Sequence, residues 1–438
     1  MFFYLPRIMP SRKRVCITLI SYWIICAYHP MFRAGAQQLP QSEKASSVAD
    51  FVNSIGINTH LNYFDRTYGN FPLVSRELQS LGAKNLRDGI HLQNQDYNNA
   101  VYGRWAQLAA LGIRFDASLD PRSGLGQLTP GKLTMVDDLA GGGISTFEGP
   151  NELDISNLPD WSSVDSDYQK QIYEEVKSMT AASTPQVVGP SMAAAKHGAS
   201  VGNISAYLDY GNLHPYPAGQ MPSAIFPEQL TLAQSISGQK PIVVTETGYH
   251  NALNDHHDQP AVSEAAAAKY VPRLFLENFA HGIVRTYLYE LMDEAPNPAL
   301  DDEQLHWGLL RSDGSEKPAF TALQNLITEL SDTVQPSTLQ TLAYALVGAT
   351  PEIHHLLLQK SDGQFFLILW QEVPSYDTQA QRDISNPAQP VTLQLSQAAK
   401  SIALYEPATQ ASPLGSQNNV KQISLDVPDQ PLVVQVTP

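Results

Sequence analysis

Between about residue 50 and residue 330, short apolar runs alternate with longer stretches in which apolar positions return every three or four residues. The short runs are SIGINTH, AKNLRD, GIRFDAS, ISTFEG, PQVVGP, GNLHPY, PIVVTET and IVRTYLYEL. Their length and β-branched content predict strands. Stretches such as FPLVSRELQSLG, NNAVYGRWAQLAALG and SDYQKQIYEEVKSM predict amphipathic helices between them. Another, SEAAAAKYVPRLFLENFAHG, closes on Gly282, where a helix end favours a residue free to take a positive φ. Strands in this number, each followed by a helix, match the element count of a (β/α)8 TIM barrel. An open doubly wound sheet alternates in the same way, but its first turn normally carries G-x-G-x-x-G, and GINTHLNYFDRTYGN has none.

After KPAFTALQNLITEL the period changes. PEIHHLLLQK, GQFFLILWQEV, QPVTLQLS, KSIALYEP and PLVVQVTP read as short alternating strands separated by Pro, Asn, Asp and Gly. The predicted fold class is therefore α/β, with a barrel over residues 37–335 and a small C-terminal antiparallel β-sandwich over 336–438. No Ser- or Pro-rich linker separates the two, so the sandwich is expected to pack on the barrel.

The first 36 residues do not share this pattern. Arg7, Arg12, Lys13 and Arg14 precede the apolar VCITLISYWIICAY, and RAGA places Ala34 and Ala36 ahead of Gln37. A basic start, an apolar core too short to span a bilayer and small residues at the cleavage position predict a signal peptide over 1–36. The mature protein is then secreted or periplasmic, with no membrane attachment after cleavage. Both cysteines, Cys16 and Cys26, fall inside that segment, which excludes cysteine catalysis and cysteine-held metals. The chain has 27 basic and 43 acidic residues; five basic and no acidic ones lie in the signal, leaving a net −21 after cleavage. So acidic a surface repels nucleic acid and anionic membranes. Neutral ligands are favoured, and a monomer is expected.

In a barrel the reacting groups sit where strands meet their following loops, at the carboxy-terminal face. The strand ends supply Asn58 and His60 from the first strand, Arg87 and Asp88 from the second, and Asn151 and Glu152 from the fourth. His214 and Tyr216 come from the sixth, Glu246 from the seventh, and Tyr287, Tyr289 and Glu290 from the eighth. Glu152 follows a turn through Gly149 and Pro150, and Glu246 follows the apolar run PIVVT. Two carboxylates facing one cleft are what glycosidic-bond cleavage requires. One must be protonated to release the leaving oxygen, the other ionised to attack carbon or activate water.

These residues carry a resemblance. GPNE at the fourth strand, HPY at the sixth and VVTETG at the seventh are similar to the clan A glycoside hydrolases, especially family 5 and its relatives in family 39. The resemblance spans roughly residues 50–330 and includes GLLRSDGSEKPAF. It implies Glu152 as acid/base, Glu246 as nucleophile and Asn151 as the holder of the substrate 2-hydroxyl. Arg87, His214 and Tyr216 would support nucleophile and substrate, and His60 by position lines the glycone pocket. At the eighth strand, where family 5 members usually place a Trp as sugar platform, TYLYELMDE has none. Tyr289, or Trp307 folding back from the following loop, are the substitutes. The implied function is a retaining β-glycosidase acting on a β-linked oligo- or polysaccharide, with no metal and no organic cofactor.

A transglycosylase using the same pair and a barrel that binds carbohydrate without turnover remain as alternatives. A barrel metallohydrolase would need His-x-His near the first strand, and NTHLN offers only His60. In HNALNDHHDQ the adjacent His256 and His257 point apart on most backbones, so a cleft-rim loop is expected there rather than a metal site. Asp154 is expected to cap the next helix. Tyr63, Phe64, Tyr68 and Tyr97 either stack on sugar faces or pack the early loops.

Overall fold

The computed structural model describes residues 39–122, 128–180, 184–224, 226–256, 259–332 and 334–438, so the expected signal peptide lies outside the described residues. The described chain enters through two short strands, β1 (Gln41–Lys44) and β2 (Ser46–Ser47), and helix α1 (Val48–Asn53). Then come β3 (Ile55–Asn58), α2 (Phe71–Leu81), β4 (Asn85–Gly89), α3 (Gln95–Ala110), β5 (Arg114–Ser118), α4 (Lys132–Leu139), β6 (Ile144–Glu148) and α5 (Trp161–Ser178). The second half continues with β7 (Gln186–Val188), α6 (Gly198–Val201), β8 (Gly211–Leu213), α7 (Phe226–Ser237), β9 (Ile242–Thr247), α8 (Glu264–Ala280), β10 (Arg285–Leu288) and α9 (Pro318–Glu329). Strands β3 to β10 are all parallel and pair in the order β7-β6-β5-β4-β3-β10-β9-β8. A parallel bridge between Val188 and Tyr210 joins the two ends into a barrel.

Local chemistry explains the boundaries. Asn70 accepts the Leu73 N–H at the start of α2, and Ser263 accepts the Ala266 N–H (3.0 Å) at the start of α8. Gly282, just past α8, has φ +81°, the left-handed conformation that a chain turning back after a helix needs. Within the barrel, Gly56 on β3 makes room for the Tyr287 ring from β10. A Cβ at Gly56 would stand 2.3 Å from Tyr287 Cδ1.

The remaining strands are β11 (Thr341–Val347), β12 (Ile353–Gln359), β13 (Phe365–Gln371), the short pair β14 (Tyr376–Asp377) and β15 (Arg382–Asp383), β16 (Gln389–Tyr405), β17 (Gly415–Val427) and β18 (Leu432–Thr437). Apart from β14 and β15 they form one continuous path, β1-β11-β16-β18-β13-β12-β2, with β17 on β16. The long β16 shifts register between Gln394 and Ala399. It pairs with β11 before the shift and with β18 after it.

Two features differ from the sequence expectation. Residues 41–47 belong to this sheet rather than to the barrel, with Gln41 opposite Tyr344 and Ser46 opposite Leu358. Strand β13 is not alternating: every residue of FFLILWQ is buried. Phe365, Leu367 and Leu369 join the sheet's own core, whereas Phe366, Ile368 and Trp370 join the barrel core. A strand covered on both faces has no polar face to show. Helix α8 lies under this cover, which is why it is buried around most of its circumference.

Candidate active site

The site begins with Glu148, the last residue of β6 and fully buried. The next residue has to be glycine, because a Cβ at Gly149 would stand 1.9 Å from Gln169 Oε1 and 2.9 Å from the Pro190 nitrogen. Asn151 then bridges to Ser191, and Glu152 takes φ +50° and ψ +47°. A left-handed conformation at a non-glycine residue costs on the order of 1–3 kcal/mol. The Glu152 N–H bond to Ser191 O (3.1 Å) helps hold it. This turn aims the Glu152 side chain at the sixth barrel strand, where its Oε1 lies 2.8 Å from His214 Nδ1.

Glu246 reaches the same place from β9. The β9–β10 pairing slips by one residue, with Thr286 opposite Val244 but Leu288 opposite Thr247. A bulge of this kind re-aims neighbouring side chains, and here both Thr245 and Glu246 contact the site. Arg87 Nη1 donates to Glu246 Oε1 (2.5 Å) and Tyr216 Oη donates to Glu246 Oε2 (2.9 Å). One oxygen of Glu152, one of Glu246 and a ring nitrogen of His214 all lie within 4.8 Å of one another.

Arg87 is the hub. Its Nε and Nη2 donate to the two oxygens of Glu148 (2.5 and 2.9 Å), Nη2 also to Asn151 Oδ1 (2.8 Å), and Nη1 also to Asn58 Oδ1 (3.0 Å). Burial alone would push the Glu246 carboxyl up, but the charges of His214 and Arg87 and the Tyr216 hydrogen bond outweigh it and hold Glu246 at about 2. Burial likewise opposes a charge on His214, yet the two neighbouring glutamates raise its pKa. The arrangement therefore holds one carboxylate ionised and faces the other with an imidazole. Arg87 supplies a cation at Glu246, and Glu152, His214 and Glu246 form one close group. His60, Glu290 and Glu294 form a second close group, in which Arg66 pairs with Glu294 and Tyr68 donates to Glu290.

No protein-family model matches the chain, and no curated protein matches it in sequence. Solved structures do match in shape. A GH39 enzyme from Xanthomonas axonopodis pv. citri superposes with a TM-score of 0.59 at 13% identity, over 90% of this chain and 96% of that one. A monomeric beta-xylosidase from Caulobacter crescentus CB15 gives 0.55 at 13% identity, over 90% and 98%. A glucosidase from Croceicoccus marinus gives 0.57 at 10% identity, over 92% and 99%. The chain has a GH39-type fold. At these identities the likeness is one of architecture.

Within the GH39-type barrel, Asn151, Glu152, Arg87, His214, Tyr216 and Glu246 converge as the strand order suggested. His60 stands beside them, its Nε2 3.0 Å from Tyr289 Oη and its ring stacked on Tyr63 at 4.6 Å; burial pushes its pKa down to about 4. Tyr289 remains partly exposed, whereas Trp307 is only 5% exposed. Trp307 does fold back, but it packs edge-on against Tyr216 (5.1 Å) and Tyr289 (6.0 Å) and backs them rather than offering a free face.

Asp154 does not cap α5. It accepts the N–H groups of Ala193 and Ala194 (3.0 Å each) and pairs with His197, pinning the loop after β7. In HNALNDHHDQ, residues 257 and 258 lie outside the described residues; His250 Nε2 donates to Gln259 O (2.8 Å) and its ring lies against Trp307. Tyr68 is packing, fully buried, while Phe64 is exposed with Arg104 over its ring. Sequence reasoning missed Glu148 and Thr245. Glu148 sits in the apolar run ISTFEG and Thr245 in PIVVTET, and only the need of Arg87 for a second buried counter-charge hints at the former.

Proposed function

We propose that this chain is a retaining β-glycosidase, exported, acting on a neutral β-linked glycoside by double displacement. The observation that carries the reading is the pairing of Glu246, held ionised by Arg87 and Tyr216, with Glu152, held by His214, within 4.8 Å oxygen to oxygen. Two such groups roughly 5–5.5 Å apart suit attack on the anomeric carbon, whereas a separation of roughly 6.5–9.5 Å leaves room for an intervening water. Proteins of the same fold named as a beta-xylosidase and a glucosidase support a glycoside as substrate.

In the first step a Glu246 oxygen bonds to the anomeric carbon as the glycosidic bond breaks, and Glu152 gives its proton to the leaving oxygen. In the second, Glu152 takes a proton from water, whose oxygen displaces Glu246. Asn151, fixed by Arg87, is placed to hold the 2-hydroxyl, and Tyr289 with His60 to border the glycone.

Rescue chemistry tests the assignment. Glu246→Ala should abolish turnover of aryl β-glycosides, by roughly 10⁵-fold, and azide should restore activity with an inverted glycosyl azide. Glu152→Ala should keep glycosylation by substrates with good leaving groups, and azide should then speed release with retained configuration. Products of the same configuration from both variants would overturn the roles. No phenol released by the wild type across a panel of aryl β-glycosides would leave a carbohydrate-binding barrel as the reading.

A further inference from the structure

Beneath the two facing carboxylates lies a third, Glu148, which touches no cleft. Both of its oxygens receive only donors: Arg87 Nε on Oε2, and Arg87 Nη2 and Asn212 Nδ2 (3.0 Å) on Oε1. The Arg87 guanidinium spans both oxygens, so Glu148 faces it as an acceptor on each. The Thr245 hydroxyl also lies on Oε1, at 2.9 Å.

That hydroxyl has three neighbours: Glu148 Oε1, Asn212 Oδ1 (2.8 Å) and His214 Nε2 (2.8 Å). The Asn212 amide is oriented by its other bonds. Its Nδ2 donates to Glu148 and to Gly189 O (3.1 Å), and its Oδ1 accepts the Leu213 N–H (2.7 Å). Two of the three neighbours are therefore acceptors only, and threonine has one proton to give. It goes to one of those oxygens. Were it given to His214 instead, two acceptor oxygens would face the bare lone pairs of the hydroxyl. His214 Nε2 must then be the donor. The other ring nitrogen, Nδ1, faces Glu152 Oε1 at 2.8 Å, with Glu246 Oε2 further off at 3.8 Å.

We propose that Glu148 is the positioning residue for both facing carboxylates: it holds Arg87 against Glu246, and through Thr245 it locks the Nε2–H form of His214, so that Nδ1 is the nitrogen that exchanges a proton with Glu152. This rests on the glycosidase reading for its kinetic consequences, though not for the tautomer. One proton moves between Glu152 Oε1 and His214 Nδ1, and the net charge of the pair does not change. Before the leaving oxygen is protonated the proton is shared; afterwards Glu152 is a carboxylate beside a neutral imidazole, ready to take a proton from water. The charged groups that bear on His214 are Glu152 from the loop after β6, Glu246 from β9 and Arg87 from β4, with Glu148 acting through Thr245.

The test uses ¹⁵N-histidine-labelled full-length protein, with the His214 signals assigned by their loss in His214→Gln. The wild type should show Nε2 protonated throughout the pH range in which the fold persists and Nδ1 alone titrating. Thr245→Val, nearly the same shape, removes the acceptor, so the Nε2 preference should relax while the Arg87–Glu246 contact stays. In kinetics, Glu148→Gln should lower kcat/KM by roughly 10- to 100-fold, the range for loss of a hydrogen-bonded support. Removing the negative charge, or the acceptor for Nε2–H, disfavours the protonated pair, so both variants should move the alkaline limb of the pH profile to lower pH. Glu148→Asp keeps the charge and should leave that limb in place while lowering the rate. Wild-type His214 with a bare Nε2 would overturn the proposal, as would an alkaline limb unmoved in both Glu148→Gln and Thr245→Val. A wild type inactive on every glycoside would sink the glycosidase reading alone, because the nitrogen signals still decide the tautomer.

Discussion

Among the described residues two arginines are buried and bound to a glutamate, and they do different things. Arg273, on α8, lies in the seam between the barrel and the C-terminal sheet and is completely buried. Its Nε and Nη2 converge on one oxygen of Glu372 (2.9 and 2.7 Å), and its other bonds go to Ser375 Oγ and the carbonyls of Val373 and Asp429. One cation meets one carboxylate, and uncharged oxygens use up the rest. Arg87 spends its remaining donors on two amide oxygens and a second carboxylate, Glu246, whose side chain is 13% exposed. There the charge does not balance. A buried arginine that finishes on carbonyls closes a seam, whereas one shared between a sealed and an open glutamate leaves negative charge facing a cleft. Such a surplus suits a transition state with positive charge on the sugar ring.

The comparison can be broken from either side. The largest effect is expected at the seam. Arg273→Met strands Glu372 in the interior and should cost about 3–5 kcal/mol of stability, read as a lower urea midpoint, with kcat of the folded protein unchanged. A loss of kcat without loss of stability would show that the seam takes part in the site. Next, Arg87→Lys keeps the charge but cannot span Glu148, Asn151 and Glu246 together, and should lower kcat/KM by roughly 100-fold, about 2.7 kcal/mol, with little change in the urea midpoint. A large stability loss with normal kcat would make Arg87 another seam arginine.

The smallest effect sharpens the difference. The ionised form of Glu246 is the favoured one, so the fraction able to attack is full above the usual carboxylate range and lost as pH falls through about 2. The acid limb of kcat/KM should therefore lie well under the ordinary value of about 4.3, and Arg87→Lys should raise it. An acid limb at the ordinary value in the wild type would show that Arg87 does not hold Glu246 in solution.

The same contrast explains what could be read from the chain. Glu152, Glu246, Arg87, His214 and Tyr216 were legible because each ends an apolar run at one face of a predicted barrel, and strand order alone brings such ends together. Glu148 was hidden because it lies inside such a run and its partners come from β4, β8 and β9, far off in sequence. Trp307 was seen as able to fold back, but its packing behind Tyr216 and Tyr289 depends on side-chain geometry rather than pattern. The place of residues 41–47 was illegible for another reason. A four-residue polar strand, QSEK, carries almost no signal of its own and is defined by a partner three hundred residues later. Strand β13 was misjudged as alternating because its second face is covered by the barrel.

That early strand bears on how the molecule is assembled. β1 leaves the ribosome about three hundred residues ahead of β11, on which it pairs. The same holds for β2 and β12. Closing so long a loop costs conformational entropy that neighbouring pairings do not, and contacts this distant slow folding. The two ends of the described chain thus act as a clasp that fastens only after the whole barrel between them has been produced. A nascent chain that stops short of β11 has the residues of the site but nothing to fasten.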